Sequence, residues 1–296
     1  MKSWRLTDSV LIETDISQPK PREGEVLVRV HAAGVTPTEV IWYPTSHTKN
    51  GQPRTGTILS HEFSGEIAET GEEIYGMNDW FADGALAEYC ITQLAWIAPK
   101  PRNLSHAEAA SVPIGALTAW QGLFDRAKLQ PGERVLIHGG AGAVGIFAIQ
   151  LARSRGAHVI TTVSARSVEF VIGLGANEAI DYKTAPFEDK AREIDVVFDA
   201  VGGDTLRRSW SVLKQNGRLV TVAASSETPP DERTKQAFFI VEPNRQQLFE
   251  IGERIESGDL RPVVDTVLPF SRASDAYTGN VKKQGRGKLV VAVRPA

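Results

Sequence analysis

A chain of 296 residues, 42% hydrophobic and 23% charged, holds enough apolar material for one large or two medium domains. Its 33 basic and 36 acidic residues give a net charge of −3 without any long basic block, which argues against nucleic acid or an anionic membrane as a partner. The lone cysteine, Cys90, excludes an internal disulfide and a paired-cysteine metal cluster, and it fits a reducing, cytoplasmic compartment.

Asp8 and Glu13 interrupt the start of the chain, so no signal-peptide apolar region is expected there, and no apolar run reaches membrane-spanning length. Residues 1–107 read as mainly β. Residues 25–30 alternate after the turn Pro21-Arg22-Glu23-Gly24, and 63–68 and 85–91 are further strand-like runs. Pro99-Lys100-Pro101 marks a boundary. Ser105 and Glu108 make a capping box for a helix through Ala109 and Ala110, ending before Pro113. A second helix is predicted over about 117–127. After the turn Pro131-Gly132 the pattern alternates: strand 134–138, helix 144–155, strand 158–163, helix 167–174 stopped by Gly175, then strands 179–182, 195–200 and 218–223. Such alternation predicts a parallel sheet covered by helices on both faces. The tail, 245–296, reads as a polar helix followed by strands around 263–268 and 288–293.

Gly140-Ala141-Gly142-Ala143-Val144-Gly145 lies between a predicted strand and a predicted helix, the context in which a GxGxxG spacing binds a dinucleotide. The first glycine permits the tight turn, the second lets backbone approach a pyrophosphate, and the third lets helix pack on strand. The helix N-terminus offers N–H groups and a positive dipole end to the phosphates. Val144, Phe147 and Leu151 recur at helical spacing, so one face can bury. At the end of the next strand, Val163-Ser164-Ala165-Arg166-Ser167 holds no carboxylate to accept from a ribose 2′-hydroxyl. Arg166 can pair with a 2′-phosphate, and Ser164 and Ser167 can donate to it, which favours NADPH over NADH.

The ordered segments 112–120, 132–145, Leu174-Gly175-Ala176 and 197–203, with Glu25-Val26-Leu27-Val28 and Ala32-Ala33-Gly34-Val35, resemble the medium-chain dehydrogenase/reductase superfamily. The nearer likeness is to its zinc-independent, zeta-crystallin-like quinone oxidoreductase branch. The resemblance covers nearly the whole chain and implies an α/β protein with two domains. One is a GroES-like β domain over 1–107, completed by about 245–296. The other is a Rossmann doubly wound parallel-sheet domain over 108–244, with the nicotinamide in the cleft between them. It also implies a homodimer. The 140–145 turn would hold the pyrophosphate, and Ser164, Arg166, Ser167 and Tyr182 would surround the 2′-phosphate. Thr118, Val201 and Phe239-Ile240-Val241 would approach the nicotinamide. The chain departs from the family at Ser167, where a lysine is frequent, and at Thr36, where an asparagine is frequent. The stretch between Thr70-Gly71 and Glu73-Ile74-Tyr75-Gly76 is also shortened.

His61-Glu62-Phe63-Ser64-Gly65 is similar to the Gly-His-Glu of zinc alcohol dehydrogenases. Catalytic zinc needs about three protein ligands. Alignment with that branch puts the cysteine ligands at Thr36 or Pro37 and near Ile114, none of which binds zinc well. No metal is therefore expected, and His61 reads as a hydrogen-bonded histidine. Without a Lewis acid, simple alcohol oxidation loses its support. A quinone or α,β-unsaturated carbonyl accepts hydride without a metal because its electron sink is built in. Its oxygen needs a hydrogen-bond donor, for which Tyr43 is the candidate, with Thr36 as polar partner; Tyr43 can equally be an aromatic wall. Trp42, Tyr75, Met77, Trp80, Phe81 and Phe239 can form a flat apolar pocket or plain core. The expectation is an NADPH-dependent, zinc-independent reductase of quinones or enones. The alternatives are a 2-enoyl thioester reductase, for which no basic entrance motif is visible, and a non-catalytic NADPH-binding redox sensor.

Overall fold

The computed structural model describes residues 1–223 and 231–294. Its first strands are β1 (Lys2–Thr7), β2 (Val10–Asp15), β3 (Glu25–Val35), β4 (Thr57–Ile58), β5 (Glu62–Ile67), β6 (Glu73–Met77), β7 (Tyr89–Gln93) and β8 (Ile97–Pro99). There follow β9 (Arg134–His138), β10 (His158–Val163), β11 (Glu178–Asp181), β12 (Ile194–Asp199), β13 (Leu213–Thr221), β14 (Val264–Pro269) and β15 (Lys288–Ala292). The chain divides into two compact units. The first holds residues 1–114, 242–258 and 262 onward; the second holds 115–241 and 259–261.

In the first unit, β3 is the spine. It is 11 residues long and pairs antiparallel with β5, β7 and β15, giving a seven-stranded sheet in the order β14-β15-β3-β5-β6-β8 with β7 also on β3. Val28, Val30, Ala33, Phe63, Ile74 and Ile97 form its core. The shortened segment of the sequence closes the β5–β6 hairpin: Ile67 N donates to Glu72 O (3.0 Å) and Gly71 N to Ile67 O (2.8 Å). Gly71 takes the left-handed φ of 74° that this turn needs. The helix His106–Ala110 carries the predicted capping box and packs on β3 and β5. The next helix starts at Pro113 rather than near Leu117, since proline loses nothing in a first turn where its N–H would lack a partner. Its continuation, Gln121–Arg126, is a π-helical segment in the second unit, where Gly122 lies against Phe198 and Phe239. The β1–β2 hairpin was not anticipated: it turns through Asp8 and Ser9 at φ 48° and 65°, and it carries charged residues throughout.

The second unit is a five-stranded parallel sheet in the order β11-β10-β9-β12-β13. Taking β9 as the first strand, this is the 3-2-1-4-5 order of a doubly wound dinucleotide-binding sheet. Thr221 makes one further parallel bridge with Phe238. The order reverses between β9 and β12, so the turn after β9 and the loop after β12 flank the switch point where such sheets take ligands.

His138, the last residue of β9, is fully buried. Ser209 spends its proton on Thr205 O (2.7 Å), so His138 Nε2–H donates to Ser209 Oγ (3.0 Å) and Nδ1 accepts from Thr162 Oγ1 (3.0 Å). Burial, aided by Arg208, pushes the His138 pKa down to about 3. The unfolded chain therefore binds a proton below the usual histidine value of about 6.5 that the folded chain refuses until about 3. Folding stability is expected to fall through that window as pH drops, by at most about 1.4 kcal/mol per pH unit from this group. Urea unfolding of His138→Gln beside the parent at neutral and acid pH should show a shallower loss in the variant.

Candidate cofactor and acceptor sites

In the turn after β9, the left-handed residue is Gly139 (φ 78°), one position before the GxGxxG spacing begins. Gly140 is required for space instead: a β-carbon there would sit 2.1 Å from Thr161 Oγ1 of the adjoining strand. At Gly145 it would sit 2.2 Å from Gly139 O, so helix and turn touch through bare backbone. Gly142 faces open space apart from Gly139 O at 3.3 Å, as a backbone face that receives a phosphate should. Ala141, Ala143 and Val144 complete the turn. The helix Gly145–Ser154 opens with no side-chain cap, leaving its N-terminal dipole for an anion. These residues fit a pyrophosphate.

Ser164 and Tyr182 end neighbouring strands, and Tyr182 N donates to Val163 O (3.2 Å), which brings the two together. Tyr182 is 58% exposed and Arg166 is also exposed, whereas Ser167 is 1% exposed. Ser167 is thus enclosed where Ser164, Arg166 and Tyr182 are not. Asp199, fully buried, was missed in the sequence except as part of a family motif. It accepts from Val201 N (3.1 Å), Gly202 N (3.1 Å) and Thr221 Oγ1 (2.7 Å), which pins the loop after β12. Val201 is 53% exposed and leans over Gly139, 3.3 Å from where a β-carbon would stand. Thr118, Phe239 and Val241 are buried, while Ile240 is 52% exposed. Phe239 packs on Gly122 beneath Arg126, so it is core rather than pocket wall. Tyr75 and Met77 are likewise fully buried, and Tyr75 Oη donates to Leu248 O.

In the first unit, Tyr43 is exposed and stacks on His47 (centroids 4.4 Å, 2° between planes). Trp42 meets Trp80 edge to face. Thr36 is half-buried and accepts from Lys288 Nζ (3.2 Å). Lys288 also pairs with Glu62, and Glu62 Oε2 accepts from Ile114 N (2.9 Å). Burial raises the Glu62 pKa, with Lys288 opposing. Strand register explains the cluster: Leu289 faces Val35 across β15–β3, and Gly34 faces Glu62 across β3–β5. The neighbouring His61 has a different partner. Its Nδ1 lies 3.1 Å from Glu39 Oε2 and its Nε2 3.2 Å from Ala82 O. Both ring nitrogens are thus engaged by the protein. Burial works against a charge on the ring, but Glu39 outweighs it and raises the pKa. Glu39 also accepts from Ser60 N (2.8 Å), and Ser60 Oγ meets Tyr277 Oη (2.8 Å).

This donor set does not fit zinc. Both ring nitrogens of His61 are taken by Glu39 and Ala82, an ammonium is paired with Glu62, and Thr36, Pro37 and Ile114 stand where the other ligands would be. Among the described residues no group of three or more His, Cys, Asp or Glu is placed to hold a metal ion. No helix among them is long and apolar enough to cross a membrane. Glu39, Lys288 and Tyr277 were not singled out in the sequence; a glutamate three residues past Thr36 and a lysine opening an apolar strand are weak signals.

Gly34 makes room for this arrangement. A β-carbon there would lie 2.5 Å from Glu62 Cγ and 2.5 Å from Ala110 O. Gly34→Ala is expected to cost about 2 kcal/mol or more, read as a lower urea midpoint at unchanged m value.

Residues 22–79 match the alcohol dehydrogenase GroES-like domain family and 174–291 the zinc-binding dehydrogenase family. The latter description belongs to the family; the residues above show how this chain departs from it. A probable zinc-binding mitochondrial oxidoreductase of Arthroderma benhamiae is 32% identical over 93% of this chain and 90% of its own. The chloroplastic NADPH-dependent alkenal/one oxidoreductase of Arabidopsis thaliana is 32% identical over 98% of this chain and 79% of its own. The quinone oxidoreductase structure from Coxiella burnetii superposes with a TM-score of 0.86 at 31% identity, covering 99% of both chains. On this fold, this glycine turn and these likenesses, the chain belongs to the medium-chain dehydrogenase/reductase superfamily, in its zeta-crystallin-like quinone oxidoreductase branch.

Proposed function

We propose that this protein is an NADPH-dependent, zinc-independent reductase of quinones or α,β-unsaturated carbonyls. The observation that carries the reading is the glycine turn at the sheet's switch point, uncapped, with no acidic residue in the segment Val163-Ser164-Ala165-Arg166-Ser167 at the end of β10. Its likeness to an alkenal/one oxidoreductase and a quinone oxidoreductase supports the acceptor class. When bound, the reduced nicotinamide supplies a hydride to the conjugated acceptor. The chain's own part is to hold and polarise. The 140–145 backbone and the helix dipole take the pyrophosphate, and Ser164, Arg166 and Tyr182 take the 2′-phosphate. Asp199 fixes the loop that presents Val201. Thr36 and Tyr43 are the proposed donors to the acceptor's carbonyl oxygen, whose negative charge grows as hydride arrives. The proton that completes the product comes from water. The reading includes a homodimer in the cytoplasm, on the family resemblance, with sedimentation and fractionation as its checks.

Steady-state NADPH oxidation with enones, alkenals and quinones tests the reading. Turnover with at least one class and none with simple alcohols is expected; no oxidation with any acceptor overturns it. Faster reduction of enoyl thioesters than of free enones replaces the substrate class. Arg166→Ala is expected to raise the KM for NADPH about tenfold, the worth of one charge-assisted bond, and to leave the KM for NADH unchanged.

A further inference from the structure

Lys288 is 4% exposed, and a lysine is rarely buried unless something holds it. Here Glu62, with no exposed surface, pairs with it. A buried ion pair of this kind contributes little net stability, because desolvation of both charges offsets their attraction. The pair is reached only because Gly34 has no side chain and because β15 and β5 flank β3 in this register. The ammonium also donates to Thr36 Oγ1, at 3.2 Å, and Thr36 is the member of the trio that reaches the surface. An ammonium has only protons to give, so Thr36 must accept from it. A hydroxyl with a lone pair so engaged is oriented and polarised, and its own proton is directed away from the cation toward an outside acceptor.

We propose that Lys288 is a positioning residue: clamped by Glu62, it locks the Thr36 hydroxyl as a one-way hydrogen-bond donor to the carbonyl oxygen of the acceptor. A fixed internal cation thus acts through a hydroxyl on the oxygen that becomes enolate-like. No bond to the protein forms. The hydride adds to the conjugated carbon, the π pair moves to oxygen, Thr36 stabilises it, and water protonates the product. The inference rests on the reductase reading above.

The test compares Thr36→Val, Thr36→Ser, the pair variant Glu62→Gln/Lys288→Met, and the pair variant combined with Thr36→Val. Changing Glu62 and Lys288 together avoids stranding a buried charge. Thr36→Val is expected to lower kcat for an enone about a hundredfold, as loss of one oxyanion donor does, with the KM for NADPH unchanged. Thr36→Ser should retain most of the rate. The pair variant should lose about tenfold in kcat, and adding Thr36→Val to it should give no more loss than Thr36→Val alone, because the two changes act through one group. Binding of 4-nitrophenolate, a phenolate that mimics the enolate oxygen, should weaken in both Thr36→Val and the pair variant, read by its visible absorption without turnover. Parental kcat in folded Thr36→Val, or multiplicative losses in the combined variant, overturns the proposal. If the pair variant does not fold, Thr36→Val against Thr36→Ser decides alone: equal rates overturn the proposal. An inactive parent protein overturns the reductase reading and this inference with it, whereas an active parent with unaffected variants overturns only the inference.

Discussion

Backbone packed closer than a β-carbon allows shapes both functional regions of this protein. At Gly140 and Gly145 the missing side chains let turn, helix and neighbouring strand meet without a gap, which aims the helix N-terminus. At Gly34 the same device admits the Glu62 carboxylate between a strand and the carbonyl of Ala110. In each case the glycine makes space that a neighbouring group then fills, Thr161 and turn backbone at the first two and Glu62 at the third, and conformational freedom is secondary. Gly139 and Gly71 are the contrast, where a left-handed φ is what the residue supplies.

Charge is buried in the first unit by strict pairing. Glu39 neutralises His61, and Lys288 neutralises Glu62, although His61 and Glu62 are consecutive. His61 precedes β5 and Glu62 opens it, and each side chain has its own partner. The result is a polar interior that resembles a metal centre in sequence but whose His61 and Glu62 are already held by Glu39 and Lys288. A His-Glu dipeptide at the start of a strand therefore marks a likeness to the superfamily, while a metal site needs further ligands beside it.

Much of this was legible beforehand. The second unit was readable because its strands are continuous apolar runs separated by glycine stops, the pattern of a sheet buried on both faces. Arg134–His138 and His158–Val163 were predicted to the residue. The capping box at Ser105 and Glu108 was equally clear, because it depends on two side chains three residues apart. The β1–β2 hairpin was not, since β2 is mostly exposed and alternates weakly, and its turn uses Asp8 and Ser9 where glycine or asparagine would have signalled it. The glycine turn and the proposed 2′-phosphate region were both read from local spacing. The Glu62–Lys288–Thr36 cluster was invisible for the opposite reason: it depends on register between strands distant in sequence, and no local pattern records which residues will face each other. Burial, which the sequence does not record residue by residue, sets Ser167, Phe239 and Tyr75 apart as enclosed side chains.

Thr36 and Lys288 lie 252 positions apart. A chain emerging from the ribosome exposes the first β-rich segment long before β15 exists. Until then Glu62 lacks Lys288, and the Ala32–Val35 stretch of β3 lacks its β15 partner. The second unit is almost continuous in sequence, from 115 to 241, and can close as soon as that stretch is out. The nascent protein would therefore acquire its glycine turn early and its buried lysine last. A chain stopped shortly before residue 288 would keep the sheet that carries the turn and leave a carboxylate stranded in the other unit.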